Sequence, residues 1–190
     1  MNEAAWAVGR VSGFISLALF TGSVLLGILT RSGRPVFGLP RFSVTVVHRN
    51  IALLGSVFLG LHVGSLLLDP LARLNPIDVV VPFLGSYRPV WQGLGTVALD
   101  LVLAVVITAL LRHRIGQRAF KAVHWLSYAM WPVALAHAIG NGTNGTGRLF
   151  LVAAVASVAA VAGAVLWRLS SAFLETSQAR QGQARQEGPG

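Results

Sequence analysis

Long apolar runs separated by short polar connections dominate the chain. A helix that crosses a hydrocarbon core about 30 Å thick needs roughly 20 mostly apolar residues. Five runs meet or approach that length, and the fourth is the shortest. The pattern therefore predicts an all-α polytopic membrane helix bundle with about five transmembrane helices, at residues 4–30, 43–68, 91–111, 123–139 and 149–169. The first run lacks a basic leader and an obvious cleavage site, so we expect a retained span.

Two connections are long enough to analyse separately. The loop at 69–91 contains four prolines between apolar stretches, which predicts an irregular cap with one interfacial turn. Tyr87 and Trp91 would anchor it at the headgroup level. The segment 170–190 is rich in Gln, Gly, Arg and Glu and is expected to be a disordered cytoplasmic tail behind a transmembrane domain at 4–169.

Composition supports a membrane location: 54% of the residues are hydrophobic, 11% are charged and the mean hydropathy is +0.68. The net charge of +9 would also suit a nucleic-acid binder, but most basic residues follow the first, third and fifth runs. That distribution favours a topology signal over a nucleic-acid partner, and predicts an outside N-terminus and a cytoplasmic C-terminus. Arginine far outnumbers lysine, which is typical of a GC-rich bacterium and indicates a bacterial plasma membrane.

Four of the five histidines fall inside predicted spans. His48 and His62 lie in the second run and His124 and His137 in the fourth, whereas His113 lies in a solvated loop. Ionisable side chains at membrane depth are costly and usually functional. A single such histidine could simply bond a neighbouring helix, and four could serve a cofactor-free transporter or proton-conducting bundle. Two matching pairs favour a cofactor.

The intervals within the pairs are 14 and 13 residues, a rise of about 21 and 20 Å at ~1.5 Å per residue. Both helices run outward from the cytoplasm in the predicted topology. His48 and His124 would therefore meet near the inner surface, and His62 and His137 near the outer one. This arrangement suits two haems, each with one imidazole from each helix. Because the chain contains no cysteine, the haems would be non-covalent b haems.

Helix phase predicts a distortion in the fourth run. At ~100° per residue, His62 returns to within about 40° of His48, but His137 lies about 140° from His124. Pro132, between the latter two, is expected to kink the helix and redirect one imidazole. Small residues in the second run would admit a flat macrocycle or simply pack against another helix; these are Gly55, Gly60, Gly64 and Ser65.

The segments "HRNIALLGSVFLGLH" and "HWLSYAMWPVALAH" make the chain resemble the ferric-reductase-like transmembrane family over roughly residues 9–167. That family includes the haem domains of ferric reductases and NADPH oxidases and the haem subunit of the methionine-sulfoxide reductase system. The resemblance implies that His48, His62, His124 and His137 are haem ligands. "GRVSG" and "HRIGQRAFKAVHWLSYAMWPVALAH" look most like the actinobacterial type.

The chain departs from the larger family members in two respects. It shows no glycine-rich dinucleotide fingerprint and no sixth span. The resemblance therefore implies the electron-transfer subunit of a membrane oxidoreductase that lacks its own flavin/NAD(P)H domain. Such a protein would pass electrons across the membrane between a quinol or flavoprotein donor and a partner acceptor, such as an FMN-binding exported protein.

Three charged residues in or beside the spans also need a role. Arg10 and Asp100 lie in the outer halves of their runs and are expected to pair with each other. Alternatively, Arg10 would hold a haem propionate and Asp100 would relay protons beside a quinol site. Arg49, adjacent to His48, would bind an inner-haem propionate or extend to the cytoplasmic surface.

Overall fold

The computed structural model describes residues 2–32, 40–141, 147–171 and 173. These ranges contain six α-helices and no β-strand, which confirms the all-α class. The helices are α1 (Asn2–Arg31), α2 (Arg41–Leu67), α3 (Pro89–Leu110), α4 (Arg112–His124), α5 (Ser127–Asn141) and α6 (Arg148–Leu169). Most of the predicted tail at 170–190 lies outside the described residues.

Four helices of the described chain are long and apolar enough to cross a membrane: α1, α2, α3 and α6. The chain is thus a multi-pass membrane protein. The predicted fourth span differs from the other four because its first residues belong to α4. Its remainder, α5, has 15 residues, a rise of about 22 Å that is shorter than a hydrocarbon core.

The predicted fourth span is interrupted before Pro132. The backbone leaves the helix at Trp125 and Leu126, and α5 then continues through Pro132 without interruption. The Leu126 N–H donates to the Val123 carbonyl (2.9 Å) and the Tyr128 N–H donates to the Trp125 carbonyl (3.1 Å). These tight i to i−3 bonds are typical of a 3-10 turn. The backbone thus departs from an ideal helix between His124 and His137, as predicted, and does so at Trp125 and Leu126. A kink at Pro132 itself stays a prediction.

The polarity of α4 explains the position of this turn. Five of its basic side chains are exposed, namely Arg112, His113, Arg114, Arg118 and Lys121. Gly116 adopts φ 81°, a conformation that L side chains rarely adopt, and breaks the regular helix within α4. A helix with this charge cannot enter hydrocarbon, so the chain changes direction before the apolar residues of α5 begin.

Helix α1 is the central element, since it packs along α2 and also contacts α5 and α6. One buried cluster joins α1, α5 and α6 and consists of Val24, Ile28, Trp131, Leu135, Ala154 and Val161. A second joins α1, α3 and α5 through Phe20, Val102 and Met130. The buried Trp131 indole N–H donates to Thr21 Oγ1 at 2.9 Å. These contacts anchor the short α5 against the long α1.

The connection between α2 and α3 contains two 3-10 helices, Pro70–Ala72 and Pro76–Val79, where one interfacial turn was expected. Asp78 is buried, and its carboxylate accepts hydrogen bonds from the backbone N–H and the side-chain amide of Asn75. Thr96 Oγ1 donates to the Asp78 carbonyl at 2.6 Å. The loop is therefore tied directly to the N-terminal half of α3.

Candidate functional site

The structure brings the four predicted histidines together as two pairs between α2 and the α4–α5 segment. The ring centroids of His48 and His124 are 6.2 Å apart with an interplanar angle of 78°. Those of His62 and His137 are 6.4 Å apart at 79°. His113 takes no part, because it is exposed on α4 and interacts with the neighbouring Arg112. The pairing predicted from the two intervals thus matches the arrangement of the side chains.

Three of the imidazoles are oriented by backbone carbonyls on the flanking helices. His48 Nδ1 lies 2.9 Å from the Ser23 carbonyl oxygen, and His62 Nδ1 lies 2.6 Å from that of Gly9. His137 Nδ1 lies 2.7 Å from the Trp91 carbonyl oxygen. A carbonyl only accepts, so each Nδ1 carries the proton and donates. Each Nε2 then has a free lone pair suited to a metal.

His124 is supported differently. Its Nδ1 is buried and has no hydrogen-bond partner among the described residues. Its ring packs against Phe120 one turn earlier in α4, with centroids 5.1 Å apart. Because His124 ends α4 where the chain turns, no helix of the described chain places a carbonyl opposite its Nδ1.

Glycines contact the same three imidazoles that bond to carbonyls. A Cβ atom built on Gly13 would lie 2.7 Å from His62 Nδ1, and one on Gly95 would lie 2.6 Å from His137 Cε1. A Cβ on Gly27 would lie 3.4 Å from His48 Cε1. Sequence reasoning missed all three residues. Two of them could have been found from the sequence, because the 14-residue separation of Gly13 and Gly27 equals that of His48 and His62.

The small residues that were singled out on α2 have other surroundings. Cβ atoms on Gly60 and Gly64 would meet nothing within 4 Å, and one on Gly55 would meet Phe20 and Leu19. Ser65 is buried, and its hydroxyl donates to the His62 carbonyl at 2.9 Å. Of the two roles considered for these glycines, packing against another helix fits Gly55.

The geometry of the pairs can be compared with metal ligation. A metal–imidazole bond is about 2 Å long and a ring nitrogen lies about 1.2 Å from its centroid, so imidazoles on opposite sides of one metal have centroids about 6.4 Å apart. Both observed separations agree with this value. No group of three or more His, Cys, Asp or Glu side chains in the described residues is placed to hold a metal. Two-imidazole sites fit a metal whose other ligands come from a macrocycle.

The expected ion pair between Arg10 and Asp100 is not formed. The Arg10 guanidinium stacks on Trp6, 4.3 Å from the ring centroid. Asp100 is exposed on α3 and makes no side-chain hydrogen bond or ion pair with the described residues. Arg10 directly follows Gly9, whose carbonyl accepts from His62, and the exposed Arg49 directly follows His48.

Comparisons with known proteins identify the family. No curated protein and no solved structure matches the chain. The sequence model of the family described as "Ferric reductase like transmembrane component" matches residues 12–135. The matched stretch includes His48, His62 and His124 and ends two residues before His137. Because it covers well over half of the 190 residues, the chain belongs to the ferric-reductase-like transmembrane component family.

Proposed function

We propose that this chain is a di-haem b membrane electron-transfer protein. His48 and His124 would hold one haem, and His62 and His137 the other. The observation that carries the proposal is the repetition of one geometry at two sites: paired imidazoles at about the same centroid separation and angle. A haem iron with two imidazole ligands exchanges single electrons and keeps no open coordination position.

The rest of the chain would hold these ligands and exclude water. The carbonyls of Gly9, Ser23 and Trp91 fix the tautomer and the ring orientation of three imidazoles. Gly55 lies halfway between His48 and His62, against Phe20. Phe20 belongs to the buried cluster with Val102 and Met130. This cluster supports a dry apolar layer between the two proposed haem sites.

We further propose that Arg10 and Arg49 bind haem propionates at the outer and inner level, respectively. Each directly follows a residue of the matching site, and guanidinium groups bind carboxylates through short, charge-assisted hydrogen bonds. The alternative role for Arg10, an ion pair with Asp100, finds no support in the structure.

Because neither haem iron would keep an open coordination position, the two haems would pass electrons to a partner in preference to a bound substrate. We propose membrane quinol or a flavoprotein as donor and a flavoprotein or FMN-binding exported protein as acceptor. The N-terminus would lie outside the bacterial plasma membrane and the C-terminus in the cytoplasm. The exposed basic residues of α4 support this orientation, because positive charge favours the cytoplasmic side. His124 then lies at the inner surface.

Alanine variants of single histidines test the assignment. The haem-to-protein ratio of each purified variant is measured by pyridine haemochrome, with His113→Ala as the matched control. His62→Ala and His137→Ala should lose the same haem, and His48→Ala and His124→Ala the other. Wild-type protein without Soret absorption would refute the proposal and favour the cofactor-free bundle. Loss of different haems in His62→Ala and His137→Ala would refute the pairing.

A further inference from the structure

We propose that Gly13, Gly27 and Gly95 are positioning residues for three of the histidines. Each glycine lies four residues after the residue whose carbonyl accepts the imidazole Nδ1–H. The three carbonyl–glycine pairs are Gly9 with Gly13 for His62, Ser23 with Gly27 for His48, and Trp91 with Gly95 for His137. The same spacing thus occurs at three independent contacts.

Helix geometry explains the spacing. In an α-helix the carbonyl of residue i already accepts from the N–H of residue i+4. Side chains lean toward the helix N-terminus, so residue i+4 covers the surface beside that carbonyl. A glycine at i+4 removes this cover. The imidazole can then approach the second lone pair of the carbonyl without displacing the bond within the helix.

The distances rank the three positions. The Cβ positions at Gly95 and Gly13, at 2.6 and 2.7 Å from the imidazole atoms, are closer than real Cβ contacts, so alanine there must displace the ring or the helix. At Gly27 the separation is 3.4 Å, which a small adjustment accommodates. The outer pair therefore depends on its glycines more strongly than the inner pair.

Helix α1 provides a matched control. Gly22 lies between Gly13 and Gly27 on the same helix, and a Cβ atom there would meet nothing within 4 Å. Gly22→Ala changes the same residue type in the same helix without touching an imidazole. Any effect specific to the Gly13 or Gly27 variant therefore comes from the contact with the histidine.

The inference rests on the proposed haem ligation, so its test reads the ligands spectroscopically. Full-length wild type and the variants Gly13→Ala, Gly27→Ala, Gly95→Ala and Gly22→Ala are purified. Haem content, the low-spin EPR signals and the midpoint potentials of each are measured. Gly13→Ala and Gly95→Ala should lose or shift the same signal and keep the other, with the haem-to-protein ratio falling from two toward one. Gly27→Ala should shift the second signal by less, and Gly22→Ala should match wild type.

Several results would overturn the positioning role. These are unchanged signals in Gly13→Ala and Gly95→Ala, perturbation of different haems by those two variants, or an equal effect of Gly22→Ala. Loss of both signals together would also count against it, because that result indicates a general packing role. Wild type without haem is a separate result that refutes the proposed function, whereas two haems with unresponsive glycine variants refute only this inference.

Discussion

The proposed outer pair, His62 with His137, and the proposed inner pair, His48 with His124, have almost the same separation but different support. In the outer pair, both Nδ1 atoms bond to carbonyls, and both rings lie against glycines. In the inner pair only His48 has these contacts, while the buried Nδ1 of His124 has no partner among the described residues. Long helices α1 and α3 provide the carbonyls, whereas His124 lies at the turn that ends α4. Ligand spacing and ligand orientation are thus separate features of this fold.

The strongest challenge to this comparison is the truncation of Ile28, the core residue of α1 that directly follows Gly27. Ile28 is fully buried and adjacent to Gly27. Ile28→Ala should lower the free energy of unfolding by about 2–5 kcal/mol and weaken the inner site more than the outer. Thermal unfolding in detergent followed at both haem signals measures this. Val155→Ala, on the exposed face of α6, is the control and should have little effect. If Ile28→Ala weakened the outer site more than the inner one, the expected coupling between Ile28 and the Gly27–His48 contact would be contradicted.

The next largest effect concerns haem release from wild type. A buried imidazole N–H without an acceptor costs about 1–3 kcal/mol, and 1.4 kcal/mol is about tenfold in affinity. On the proposed assignment, the haem at His48 and His124 should therefore dissociate about tenfold more readily than the haem at His62 and His137. Transfer to an excess of a haem-binding acceptor protein, followed by EPR, resolves the two sites. Equal release, or earlier loss of the outer haem, would show that this difference in hydrogen bonding does not weaken the inner site.

A smaller effect, shared by both histidine pairs, is expected at Trp131. This α5 residue lies between His124 and His137 in the sequence. Trp131→Phe removes the hydrogen bond to Thr21, a loss of about 0.5–1.5 kcal/mol, together with some packing. Because this contact anchors the whole helix, both haem signals should lose thermal stability by similar amounts. A change confined to one pair would mean that His124, at the end of α4, and His137, in α5, are supported independently.

The smallest effect is expected at Asp100. Its carboxylate has no hydrogen-bond or ion-pair partner among the described residues. Asp100→Asn should leave haem content and both EPR signals unchanged and should not lower the melting temperature. Haem quantification and thermal unfolding against wild type measure this. Loss of one haem would instead show that Asp100 supports a histidine pair.

Hydropathy and intervals were sufficient to predict much of the fold and the pairing. The apolar runs predicted the positions of α1, α2, α3 and α6, because spanning helices need long apolar segments. The intervals of 14 and 13 residues predicted which imidazoles meet. In both cases the information is local to one helix and follows from its constant rise per residue.

The features that were missed depend on contacts between helices. Pro132 remains within α5, whereas the chain turns at Trp125, just after the basic residues of α4. The charge of α4 was visible in the sequence and could have indicated that turn. The lack of a hydrogen-bond partner for His124 Nδ1 among the described residues could not, because it depends on how separate helices pack around the turn.

The most direct test of the account is the EPR spectrum of the oxidised wild-type protein, combined with its haem-to-protein ratio. The account predicts two haems per chain and two distinct low-spin bis-imidazole signals, one lost in His137→Ala and the other in His124→Ala. A single haem per chain, or one signal abolished by both variants, would contradict two separately supported histidine pairs.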